Sequence, residues 1–114
     1  MINAVHSILF ARDADAARAF FSDVLDLESV DAGGGWRIFA LPPAELAVHP
    51  ADEGGGCELY LMTDDLDETL AQLRERGVAI ASDPSDQGWG VLASIDVPGF
   101  GPVGLYEPRH PVPR

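Results

Sequence analysis

Lysine is absent from this 114-residue chain, and all seven basic residues are arginine. Against them stand 19 Asp and Glu, for a formal net charge of −12. A charge of that sign repels phosphate, so nucleic acid and anionic membranes are poor partners and cationic ligands are favoured, although most of these carboxylates read as a solvated surface. Cysteine is almost absent: the single Cys57 excludes an internal disulfide and is compatible with a reducing cytosol. The apolar runs fall far short of the ~18 residues that a membrane span needs. The first residues lack the basic stretch and long apolar run of a secretory signal. The expectation is a cytoplasmic protein that associates with neither membrane nor nucleic acid.

What is present is enough for a globule. Hydrophobic residues make up 46% of the chain and charged residues 23%, which separates it from disordered sequences. A chain of this length forms about one domain and buries roughly two-thirds of its unfolded surface.

Residues 2–11 hold Val5, Ile8, Leu9 and Phe10, an apolar run of strand length. Asp13 then stands as the N-cap of an amphipathic helix carrying Ala16, Ala17, Phe20, Phe21, Val24 and Leu25. Gly33–Gly35 make a turn, residues 36–41 a strand and residues 45–49 a short strand. Residues 50–56 are the clearest linker. Beyond it the pattern restarts. Residues 58–62 are a strand, and Asp65 caps a second helix, with Glu68 as capping-box partner. Leu66, Leu70 and Leu73 share one face of that helix, and Gly77 ends it. Strands follow at 78–81, 91–97 and 103–107, with residues 83–88 between the first two read as a turn-rich stretch. The Pro-rich tail, 108–114, cannot continue a sheet, because each Pro removes a ladder donor.

The restart is an internal repeat. His6 lies seven residues before Asp13, and Glu58 lies seven residues before Asp65. Neither half alone buries both faces of its sheet, so the halves pack together or against a second chain. The expected architecture is a single α+β domain over 1–114. Module one covers about 1–50 and module two about 57–108, joined by the linker at 50–56.

A doubled strand–helix–three-strand unit of this length resembles the vicinal oxygen chelate superfamily, which contains glyoxalase I, extradiol dioxygenases, fosfomycin-resistance enzymes and bleomycin-resistance proteins. Three stretches carry the likeness. The first is Val5-His6-Ser7-Ile8 with Arg12-Asp13 and residues 19–27, the second is residues 60–67, and the third is Asp96-Val97-Pro98-Gly99 with residues 104–108. The resemblance implies two βαβββ modules that form a curved mixed sheet around a cavity, with the helices outside and two chains in a homodimer. In metal-using members it also implies a divalent metal, with two ligands from each module. Carried over, those positions fall on His6, Ala47, Glu58 and Gly104. Ala47 and Gly104 offer no side-chain ligand, and three protein ligands are the common minimum for a catalytic site. His49 shares the parity of Ala47 and would complete a His6–His49–Glu58 set, displaced by roughly 6–7 Å along the strand. Glu107, three residues past Gly104, points to the opposite face.

Two readings follow. The first is a small-molecule-binding protein of the glyoxalase/bleomycin-resistance type that lacks the usual metal site and needs no cofactor. Its ligand is a small organic molecule, cationic or aromatic. The alternative is a glyoxalase- or dioxygenase-like metalloenzyme with a non-standard site at His6 and Glu58. If the chain is an enzyme, it is a lyase, isomerase or dioxygenase, and His6 and Glu58 are the catalytic candidates. Without metal, Glu58 serves as base and His6 as acid.

Each candidate has a plainer reading. His6 lines a pocket with a hydrogen-bonded neighbour. Glu58 sits in water at a strand end, or pairs with His6, Arg37 or ligand. Trp36 and Trp89 are packing residues or aromatic walls, with Trp89, between Gly88 and Gly90, reading as a pocket rim. Tyr60, Met62 and Tyr106 share the face of Glu58 and Gly104 and, with His49, complete the ligand-binding candidates. Cys57 is a packed or partly exposed thiol, His110 is inert in the tail, and Gly33–Gly35 lack the Lys and helix of a phosphate loop.

Overall fold

The computed structural model describes residues 6–45, 47–48, 50, 52–53 and 55–113. The fold is mixed α+β with two sheets. Helix α1 runs Ala14–Ala19 and continues as a π-helical turn, Phe20–Val24. Asp13 caps it, its carboxylate accepting the Ala16 N–H at 3.0 Å. Strands β1 (Ser29–Asp31) and β2 (Arg37–Phe39) then pair antiparallel. β1 lies in a stretch that the sequence pattern leaves unassigned, and it supplies the strand that the glycine turn needs on its near side.

The second half is a strand–helix–three-strand unit. β3 (Tyr60–Met62) leads to α2 (Leu66–Glu75), then β4 (Ile80–Asp86), β5 (Gly90–Val97) and β6 (Gly101–Pro108). The sheet order is β3-β6-β5-β4, with β3 parallel to β6 and the other pairs antiparallel. Asp65 caps α2 by accepting the Glu68 N–H at 3.0 Å. Gly77, at φ 81°, ends it in the left-handed conformation that glycine adopts without a Cβ penalty. Glu107 reaches the same helix start: its Oε1 accepts the Leu66 N–H at 3.0 Å. It therefore stands on the helix side of β6, as its parity with Gly104 requires.

Alternation along the strands sorts the two faces. Ala93, Ile95 and Val97 of β5 and Val103 and Leu105 of β6 are buried against Leu66, Leu70 and Leu73. Ala17 and Phe20 of the first half join the same core. Two further ties connect the halves. The Asp13 N–H donates to the Gly99 carbonyl at 3.1 Å. Arg76 donates to the Val24 carbonyl and to Asp26 Oδ2, the latter at 2.9 Å.

Three readings need correction. The stretch 83–88 is not all turn, because β4 extends through it to Asp86. Register shifts interrupt its pairing, and β4 is an edge strand, where Pro84 costs no ladder bond. β6 reaches Pro108, and the Arg109 N–H continues the pairing by donating to the Trp89 carbonyl at 2.9 Å. This is possible because β3 ends at Met62, opposite Tyr106, and no strand beyond it asks Pro108 for a donor. In the expected strands at 2–11 and 45–49, the described residues form none. His6, Ile8, Phe10, Ala47 and Val48 are exposed, and no described segment pairs with them. Residues 1–5, Leu46 and His49 lie outside the described residues. No helix among the described residues is long and apolar enough to cross a membrane.

Candidate functional site

Among the described residues, no helix lies over the face of the four-stranded sheet opposite α2. Register places Tyr60 and Met62 of β3 on this face, with Gly104 and Tyr106 of β6 and Leu92 and Ser94 of β5, and Glu58, just before β3, joins them through its bond to Tyr60. An open concavity of about 470 Å³ lies there, within the size range of small-molecule pockets. Glu58, Tyr60, Ser82, Leu92, Ser94 and Gly104 form its polar and central part, and Leu9, Phe100 and Pro102 add apolar wall.

Glu58 and Tyr60 meet within one strand segment. The Tyr60 hydroxyl donates to Glu58 Oε2. That bond, with lesser help from burial and from the carboxylate's charge, holds the Tyr60 phenol above its ordinary pKa. Tyr60 stays a donor, and the exposed carboxylate keeps capacity for a second partner. The plainer expectations for Glu58 named His6 and Arg37. Arg37 instead donates to Ser29 Oγ at 2.8 Å on the two-stranded sheet.

The Tyr60 ring lies across the backbone of β6 at Gly104. A Cβ built there would stand 2.7 Å from Tyr60 Cε1, closer than real Cβ contacts allow. Gly104 therefore does more than enlarge a cavity, because its missing side chain is the space the Tyr60 ring fills. From Tyr60 the aromatic surface continues. Tyr60 and Trp89 each set an edge against Tyr106, with centroids at 5.9 and 5.1 Å. The result is a row, Tyr60–Tyr106–Trp89, across the free face to the β4–β5 turn.

The sequence candidates divide accordingly. Glu58, Tyr60, Tyr106 and Trp89 come together, and Met62 is half-buried on the same face. His6 is exposed, three residues before the wall residue Leu9. Trp36 stands beside the two-stranded sheet, with the Arg18 guanidinium 5.6 Å from its ring centre. His49 lies outside the described residues. His110, read as inert in the tail, is partly buried, with Nε2 3.1 Å from the Tyr106 hydroxyl. Ser82 and Ser94, whose hydroxyls meet at 2.6 Å beside the concavity, were missed. Parity along β5 places Ser94 on this face. No such signal marks Ser82, because the bulges of β4 break its alternation.

Among the described residues, no three His, Cys, Asp or Glu side chains are grouped to hold a metal ion. Glu58 is engaged by a phenol, and position 104 lies under a ring.

A family model for the Glyoxalase/Bleomycin resistance protein/Dioxygenase superfamily matches residues 3–108. None of the curated proteins is a significant sequence match. Among solved structures, the chain is similar to TnmS3, an antibiotic binding protein from Streptomyces sp. CB03234. The two share 27% identity over 95% of this chain and 99% of that one, with a TM-score of 0.63. It is also similar to a Glyoxalase/bleomycin resistance protein/dioxygenase superfamily member from Sphaerobacter thermophilus DSM 20745, at 25% identity over 92% and 97% of the two chains and a TM-score of 0.62. Lactoylglutathione lyase from Agrobacterium tumefaciens shares the fold, at 19% identity over 92% and 93% and a TM-score of 0.63.

Proposed function

Because this chain belongs to the Glyoxalase/Bleomycin resistance protein/Dioxygenase superfamily, we propose that it binds small aromatic organic molecules, of antibiotic size, without a metal. The observation that carries this is the Tyr60 ring over Gly104, with its hydroxyl on Glu58. Where a metal-using relative would present a carboxylate at position 104, this chain presents an aromatic floor. The similarity to an antibiotic binding protein along nearly the whole length of both chains favours the same reading.

The ligand's flat part rests on the exposed rings of Tyr60 and Trp89, which the buried Tyr106 ring backs, and a cationic group approaches Glu58. Ser82 and Ser94 add hydroxyls at the far side of the concavity. The overall charge of −12 draws cations and disfavours anions. His6 and Glu58 remain the acid and base if the bound molecule is also turned over.

The active form is a cytoplasmic homodimer. The radius of gyration is 15.0 Å, against about 13 Å for a compact chain of roughly this length. Phe10 and Val48 are 88% and 89% exposed, with Ile8, Trp36 and Leu41 about half exposed. A second copy covers that apolar surface and completes each module repeat. Light scattering at tens of micromolar tests this, and a monomer contradicts it.

The test of binding compares two fluorescent aromatic probes of opposite charge, thioflavin T and anilinonaphthalene sulfonate, on chelator-treated protein. The cation binds at least about tenfold more tightly, a shift of about 1.4 kcal/mol or more from sign complementarity. Equal affinities, or binding that appears only on adding zinc, nickel or iron, overturn the proposal.

A further inference from the structure

The tail beyond β6 makes four separate attachments to the aromatic row and the turn that carries it. The Arg109 N–H donates to the Trp89 carbonyl at 2.9 Å. The Arg109 guanidinium donates to Asp86 Oδ2 at 2.6 Å. His110 Nε2 lies 3.1 Å from the Tyr106 hydroxyl, and the two rings pack at 5.8 Å between centroids. His110 Nδ1 lies 2.8 Å from the Pro111 carbonyl, which only accepts. That contact selects the tautomer protonated at Nδ1, so Nε2 accepts from the Tyr106 hydroxyl.

The turn that carries Trp89 is held from its own side as well. Asp86 Oδ1 accepts the Gly88 N–H at 2.8 Å, and the Gln87 N–H donates to the Gly90 carbonyl at 2.9 Å. Gly90 is tight: a Cβ there would stand 3.1 Å from Tyr106 Cδ2 and 2.7 Å from the Glu107 carbonyl. Arg109 thus grips both the first residue of the turn and Trp89, while His110 grips the ring against which Trp89 packs. The pairing holds the Asp86 carboxyl below its ordinary range and the Arg109 guanidinium above its own.

We propose that residues 109–113 form a strap that fixes Trp89 against Tyr106, with Arg109 and His110 as its positioning residues. Trp89 is otherwise a turn residue, 43% exposed, between two glycines. An indole in that setting samples several rotamers unless something holds it. The strap turns it into the fixed end of the aromatic row that starts at Tyr60. This consequence for ligands rests on the binding function proposed above; the fixing of Trp89 does not.

The test uses the full chain carrying Trp36→Phe, which leaves Trp89 as the sole tryptophan, and reads acrylamide quenching and near-ultraviolet dichroism. Arg109→Gln with His110→Ala raises the quenching constant by about twofold or more and weakens the Trp89 dichroism, because a released side chain gains solvent access. Arg109→Lys and His110→Gln, which keep a cation and an acceptor, retain the parent values. If far-ultraviolet dichroism shows the double variant unfolded, His110→Ala alone decides. Unchanged quenching in folded variants overturns the strap. In the chain with Trp36 intact, the same pair of substitutions weakens thioflavin T binding by about fivefold, the loss of one aromatic contact. A parent chain that binds no dye removes the binding function, while the quenching result still decides the strap.

Discussion

Asp13 and Asp65 cap their helices in the same way, each accepting the N–H three residues on at 3.0 Å, yet the helices that follow differ. The second runs ten residues and buries three leucines against a four-stranded sheet. The first runs six residues before loosening into a π-helical turn, and its neighbour is a two-stranded hairpin. The same local pattern produces the same element start, but how far the element is stabilised depends on the strands available to cover it. In the second half four strands lie side by side. In the first, the described part of the expected leading strand has no pairing partner among the described residues, and its Ile8 and Phe10 face outward. The two halves thus start alike, and among the described residues only the second has a four-stranded sheet to cover its helix.

That contrast is broken most directly by core substitution. Leu70→Ala, at a site 1% exposed in α2, costs about 2–5 kcal/mol by urea denaturation. Phe10→Ser, measured where the chain is monomeric, changes stability by less than about 0.5 kcal/mol, and at higher concentration it weakens self-association. Equal costs at the two positions would erase the difference between the halves.

A smaller effect probes the site. Gly104→Glu forces the Tyr60 ring off β6 and costs about 1–3 kcal/mol through overpacking. Adding Tyr60→Ala removes the clash and recovers part of that loss. If Gly104→Glu is as stable as the parent, the ring does not need the glycine. Binding comes next: Glu58→Gln weakens the cationic probe by about tenfold while sparing the anionic one. The same substitution returns the Tyr60 phenol toward its ordinary pKa, read as tyrosinate absorbance against pH.

The smallest effects are pH slopes. The Tyr60 pKa is raised on folding, so the proton is held more tightly in the folded chain. Its contribution is full below pH 10.0 and is lost as pH rises through the folded value. The Asp86 pKa is lowered, so its contribution is present above pH 3.8 and is lost as pH falls through the folded value. Glu58→Gln flattens the alkaline slope and Asp86→Asn the acid one. If neither slope moves, the two hydrogen bonds do not persist in solution.

The second half was largely legible in the sequence, because Asp65, the leucine spacing and Gly77 all act locally. Parity grouped Tyr60 and Met62 with Glu58, grouped Tyr106 with Gly104 and set Glu107 opposite, while the family resemblance brought the two groups to one cavity. Three features were not legible. β4 passes through Pro84 because it is an edge strand, a fact of sheet order rather than local sequence. The use of Gly104 depends on the ring of a residue 44 positions away, paired with it through parallel register. Pro108, Pro111 and Pro113 marked the tail as unable to extend a sheet. The side chains of Arg109 and His110 nevertheless give it a fixed place without one.

The central claim is that the free face recognises its ligand through Glu58 and the aromatic row, with no metal between them. Titration of thioflavin T into exhaustively chelated protein, with the parent chain and Glu58→Gln side by side, tests it most directly. The expected result is saturable binding by the chelated parent and about tenfold weaker binding by the variant. Binding that requires an added divalent metal, or that is identical in the two proteins, would contradict it.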